Sequence, residues 1–183
     1  MAALGAVLAA GCDSPSAPKD VVPGVSVSYS GAVSGRFSVT APSGGAAGQT
    51  YMEAYWADST GFGTYSTRAT ADGRIDWITI ASPLAPGEYV IDPRCQNSCP
   101  FVGVGLEQAT GDWGLQEGES SWILRRGTIT VRQPGADGRV RGTFAGSGEL
   151  HRFTNGRWVD SGLGDVIVSG KFETGLVLPH PVP

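Results

Sequence analysis

Little in this 183-residue chain offers acid–base or metal chemistry in a recognisable pattern. It holds two histidines, His151 and His180, and three cysteines. No Gly-x-Ser-x-Gly elbow presents a serine nucleophile, and no phosphate loop, EF-hand or dinucleotide fingerprint occurs. Lys and Arg number 13 against 17 Asp and Glu, and only Arg125 and Arg126 are adjacent. A nucleic-acid surface works by clustering cations that displace counterions, so nucleic acid is not an expected partner. No window beyond the N-terminus approaches the roughly 18 apolar residues of a spanning helix. Continuous helical periodicity is scarce as well.

What is abundant is turn chemistry and apolar alternation. Apolar residues make up 40% of the chain and include five tryptophans, enough for a packed core. The 28 glycines and 12 prolines instead suggest many short strands joined by tight turns. The expectation is all-β: a single antiparallel β-sandwich or flattened barrel of about 8–10 strands. Residues 24–178 would form it, ahead of a Pro-rich tail at 179–183 that cannot pair as a central strand.

Val25 to Tyr29 alternates strictly, and Val33 to Val39 continues the alternation, which predicts a hairpin. Tyr51–Trp56 and Gly61–Thr70 read as strands. In Ile75-Asp-Trp77-Ile78-Thr-Ile80 the apolar phase changes between Trp77 and Ile78, which predicts a bulge there. Gly127–Val131 and Val140–Phe144 flank a Pro/Gly/Asp loop, and Leu150–Phe153 and Trp158–Val159 flank Asn155-Gly156, so two more hairpins are expected. Val166–Phe172 closes the set. Two patterns recur: Asp72-Gly-Arg, Asp137-Gly-Arg and Asn155-Gly-Arg as turns, and Val33-x-Gly-x-Phe37, Val140-x-Gly-x-Phe144 and Val168-x-Gly-x-Phe172 as strands. In the strand pattern all three residues share a face, with glycine leaving room for a neighbour's ring. The spacings are irregular, so this is one packing solution reused and not a solenoid.

The N-terminus carries the clearest address. Ala2 to Ala10 is an apolar run of secretory length, followed by small residues and Cys12. Ala9-Ala10-Gly11-Cys12 resembles the lipobox of bacterial lipoproteins. That resemblance implies removal of residues 1–11, lipidation of Cys12, and an extracytoplasmic protein anchored to a bacterial membrane. With no Lys or Arg ahead of the apolar run, the true start is expected further upstream. Removing 11 residues from 183 leaves 172, the size of one domain. Residues 12–23 hold three prolines and little apolar bulk. Extended at about 3.1 Å per residue, such a linker spans roughly 35 Å. Several acyl chains on one cysteine suffice for stable anchoring.

With Cys12 assigned to lipid, Cys95 and Cys99 remain as an even pair in an oxidising compartment, which favours a structural disulfide. Closing so small a ring would contribute roughly 2 kcal/mol. A redox dithiol normally has two intervening residues, and neither histidine has ligand spacing to the pair, so redox and metal roles fit less well. No metal or cofactor is expected.

Two wider likenesses bear on the fold. The turn, strand and Pro86-Gly87-Glu-Tyr89 sequence after Thr70 resembles transthyretin-like and carboxypeptidase-regulatory-like sandwiches over about 25 residues. The order of lipobox, opening hairpin, cysteine pair and closing Gly-x-Phe strands resembles uncharacterised secreted bacterial lipoproteins. That likeness implies a β-rich fold and assigns no reaction.

Candidates for chemistry are few. His180 sits between prolines, and His151 is expected as an exposed residue at a strand end. Ser16 and Lys19 share a spacing only formally, within the linker. Glu117/Glu119 and Asp72/Asp76 could be written as acid and base but read more simply as solvated turn residues. No catalytic residue is assigned. Trp56, Trp77, Trp113, Trp122 and Trp158, with Tyr51, Tyr55 and Tyr65, are core candidates that could include a sugar-stacking platform. Trp113, in a glycine-flanked loop, is the candidate ligand-binding residue. The expected function is a non-catalytic binding or cell-envelope structural module on a lipid anchor, with a glycan or envelope protein as partner. The alternatives are a carbohydrate-binding surface of exposed Trp and Tyr, and an anchored hydrolase with a carboxylate site.

Overall fold

The computed structural model describes residues 24–40, 49–57, 61–69, 74–91, 100–108, 118–132 and 139–176. All elements of the described residues are strands: β1 (Gly24–Gly31), β2 (Gly35–Thr40), β3 (Gln49–Ala57), β4 (Gly61–Ala69), β5 (Ile75–Pro83), β6 (Gly87–Val90), β7 (Phe101–Gln108), β8 (Ser120–Ile123), β9 (Arg126–Val131), β10 (Arg139–Thr154) and β11 (Arg157–Leu176). They form one antiparallel sheet in the order β2-β1-β11-β10-β8-β7-β5-β4-β3, with β9 also pairing β10 and β6 pairing β9. Its two end strands, β2 and β3, come to lie beside each other, so the sheet is nearly closed into a barrel. The all-β expectation therefore holds, with eleven strands among the described residues.

The long β10–β11 hairpin is the spine. No proline interrupts residues 139–176, and Asn155 and Gly156 both take positive φ, 51° and 76°, the two-residue turn that matches strand twist. What the sequence divides into separate short strands is here two continuous ones. β11 stays continuous by bulging: Glu149 faces Asp165 while His151 faces Asp160, and the excess falls at Ser161-Gly162-Leu163-Gly164. Gly162 and Gly164 have positive φ there, and Asp160 Oδ1 accepts from Gly162 N at 2.9 Å.

β8 and β9 run one after the other along the free edge of β10 and bend between them. Arg125 N donates to Ser147 O on β10, whereas Leu124 N donates to Val102 O on β7. Past Gly127, at φ 144°, the chain pairs with β6 instead. The bend splits the sheet into two branches and lets it curl.

Burial alternates as the pleat dictates. Val25, Val27, Phe37, Val39, Ile129, Val131, Val140, Phe144, Val166, Val168 and Phe172 point inward from one wall; Phe62, Ile78, Ile80, Val102, Val104 and Trp122 point inward from the other. Rings meet across the interior. Phe62 of β4 lies 5.7 Å from Phe172 of β11, and Tyr29 of β1 lies 5.4 Å from Trp122 of β8. Among the described residues, twenty buried apolar side chains form one connected core cluster.

The repeated Gly-x-Phe pattern has a direct packing meaning. Gly142 lies opposite Phe172 and Gly170 opposite Phe144. Each ring fills the place where a Cβ on the facing glycine would stand. The first copy differs: Val33 falls in the turn before β2, and Gly35 is covered by the ring of Tyr29, its partner on β1.

The bulge expected between Trp77 and Ile78 is absent. β5 alternates without a break, with Asp76, Ile78, Ile80 and Ser82 inward. Asp76 can face inward because Arg68 on β4 neutralises it, and Trp77 is left on the outer face, covering Gly105 of β7. The irregularity lies instead in the β5–β7 pairing, between Ile75 and Trp77.

Candidate functional site: a hydroxyl-lined trough

The outer face of β1, β11, β10 and β9 carries small polar residues in register. Ser26, Lys171, Thr143 and Thr130 make one cross-strand row, continued by Glu88 of β6. Ser28, Ser169, Ala145 and Thr128 make the next, continued by Val90. Such side chains are short, and the twisted strands leave between them a trough of about 480 Å³. Every lining side chain beyond the backbone is a hydroxyl, a methyl or the Lys171 ammonium, save Phe144, whose ring lies beneath Gly170. Among the described residues no carboxylate lines it.

The trough has local causes in the sequence. Ser26 and Ser28 alternate with Val25 and Val27, and Thr128 and Thr130 with Ile129 and Val131, so burying the apolar set displays the hydroxyls. Each hydroxyl both donates and accepts, which suits a ligand rich in hydroxyls of its own. The signal was therefore in the sequence as alternating Ser/Thr, but strand order alone decides that these four strands are neighbours.

At one end of this face Glu173 accepts from Arg139 at 3.1 Å and Arg141 at 3.0 Å. On the opposite wall Arg68 pairs with Asp76, 5% exposed, and its guanidinium lies 5.3 Å over the Phe37 ring of β2. This ion pair and cation–π contact tie β4 to β2 where the two ends of the sheet meet.

Cys12, Cys95, Cys99 and Trp113 all lie outside the described residues, as do Glu117, Asp72 and His180. Two carboxylates expected in solvent are buried: Asp76 by its arginine, and Glu119 at 1% exposure, with its carbonyl accepting from Phe153 N at 2.9 Å. His151 is not an edge residue either. It is half-buried in mid-sheet between Ser121 and Asp160, with Nδ1 3.1 Å from Glu149 O.

The aromatics whose side chains are described fall into separate pairs. Trp122 is buried against Tyr29, and Trp158 stands edge-on to Phe153 at 5.5 Å. Tyr65 and Trp77 pair at 6.1 Å on the outer face of β4 and β5, both half-buried. Desolvation raises the Tyr65 phenol above its ordinary value. Among the described residues no three His, Cys, Asp or Glu gather as a metal site, and no helix is long and apolar enough to cross a membrane.

The fold and this face define a nearly closed all-β barrel with a polar groove on one wall. No protein family, curated protein or solved structure matches the chain.

Proposed function

We propose that the protein is a lipid-anchored, extracytoplasmic binding module that takes a glycan chain in the hydroxyl-lined trough and catalyses no reaction. The single observation behind the binding role is the trough, an open groove of about 480 Å³ crossing four strands and lined by paired Ser and Thr hydroxyls. A polymer with repeating hydroxyls can exchange hydrogen bonds with it along its length. The anchor rests on Cys12 and the lipobox around it. β1 begins at Gly24, two residues before Ser26, so on this reading the linker would join the strand that contributes Ser26 and Ser28 to the trough. A Cys95–Cys99 disulfide would suit the same compartment. The hydrolase alternative loses one carboxylate, since Asp76 is engaged by Arg68.

Two measurements test this reading. Mass spectrometry of the N-terminal peptide from cells should find diacylglyceryl on Cys12; an intact leader with a free thiol there would remove the anchor. Ser169→Val, which replaces a hydroxyl in the middle of the trough by two methyl groups, should weaken binding to polysaccharide by about tenfold, the loss of one good hydrogen bond with its partner left unsatisfied. Because residue 169 is exposed, the melting temperature should hardly move. Unchanged binding would place the ligand elsewhere.

A further inference from the structure

We propose that the glycan is acidic and that Lys171 is the residue that reads its charge. The inference rests on the glycan reading of the trough and adds the ligand's chemical class. After Lys19 in the linker, Lys171 is the only lysine in the chain; every other cationic side chain of the body except histidine is arginine. Several of those arginines are committed to carboxylates: Arg68 to Asp76, Arg125 to Glu149, and Arg139 and Arg141 to Glu173. Lys171 makes no ion pair among the described residues. Glu173 is only two positions away on the same strand face, yet its carboxylate is turned to the two arginines.

The surroundings of Lys171 are those of an oxyanion subsite. Ser26 stands directly opposite on β1 and Thr143 directly opposite on β10, with Ser28 and Ser169 in the next row. The ammonium supplies charge and up to three donors, and the hydroxyls can supply further donors to the same oxyanion. Arg36 of β2, exposed and opposite Ser28, places a second cation on this face. From strand spacing and rise, its Cα is about 12 Å from that of Lys171. A structural role explains little here, because the Lys171 side chain is exposed. Lys171 and Arg36, with Arg126 two rows beyond Thr130 on β9, are scattered over this face rather than clustered as a nucleic-acid backbone requires, a spacing that suits a polymer bearing an anionic group at intervals.

The test uses the full chain, with three polymers as probes: dextran, dextran sulfate and polygalacturonate. Titration calorimetry at low and high salt would compare the wild type with Lys171→Gln, Lys171→Arg and Ser169→Val. The wild type should bind one of the two acidic polymers at least about tenfold more tightly than dextran, and salt should narrow that gap. Lys171→Gln should lose about tenfold on the acidic polymer and nothing on dextran, and Lys171→Arg should keep most of the affinity. Whether sulfate or carboxylate is preferred identifies the anionic group. If Lys171→Gln binds every polymer as the wild type does while Ser169→Val binds them about tenfold more weakly, the charge-reading role is overturned and the glycan reading stands. Binding of the wild type to none of the three overturns both.

Discussion

On the wall made by β1, β2, β11, β10 and β9, the described inward positions are apolar or glycine, with Thr174 as the exception. Across the interior, on β4 and β5, Thr64, Ser66, Arg68, Asp76 and Ser82 share the inward face with Phe62, Ile78 and Ile80. The first wall is held by shape: Phe144 and Phe172 each fill the space over the other strand's glycine. The second includes an ion pair and hydroxyls, and the Ser66 and Ser82 oxygens are buried with no hydrogen-bond partner. Interlocked rings gain dispersion and lose nothing to desolvation, whereas unpaired buried hydroxyls cost free energy. The apolar wall is also the one whose outer face carries the trough. A binding surface of short side chains needs a rigid backing, and the glycine–ring contacts supply it.

Substitutions can break or sharpen this contrast. The largest effect is expected on the apolar wall, where Phe144→Ala empties the place above Gly170 and should cost about 3–5 kcal/mol in urea unfolding. On the polar wall, Asp76→Asn removes the charge facing Arg68. Since Arg68 is 32% exposed, the loss should be about 2 kcal/mol, between surface and fully buried pairs. A loss as large as that of Phe144→Ala would mean that both walls depend on their interiors alike. The smallest change is Ser66→Ala, which deletes an unpartnered hydroxyl and should leave stability unchanged or raise it by up to about 1 kcal/mol. A clear destabilisation in the same unfolding assay would show that the hydroxyl has a partner in solution and remove the contrast.

Much of the barrel was legible from residue order. The β1–β2, β9–β10 and β10–β11 hairpins follow from alternation and turn residues, and Asn155-Gly156 adopts the backbone its chemistry favours. The Gly-x-Phe pattern marked a real contact, since glycine opposite an aromatic ring has one simple packing answer. β7 is not legible in the sequence, because Gly103 and Gly105 dilute the alternation of Val102, Val104 and Leu106. The phase of β5 is obscured in the sequence for a different reason. Asp76 looks polar and therefore outward until Arg68, eight residues away on the next strand, is seen to neutralise it. The trough carries no aromatic or carboxylate signature in the sequence, because most of its residues are ordinary strand Ser and Thr.

By itself, then, the amino-acid order determined the local grammar: most extended segments, their turns, and which side of most strands is apolar. It also carries the Cys12 motif, which depends on a short contiguous stretch. Tertiary structure alone decided the rest. Ser26, Thr130, Thr143 and Lys171 are up to 145 residues apart in the chain and become neighbours because β1, β11, β10 and β9 lie side by side. Pairing between distant strands is set by how the whole apolar surface closes, and no single window of sequence contains that sum.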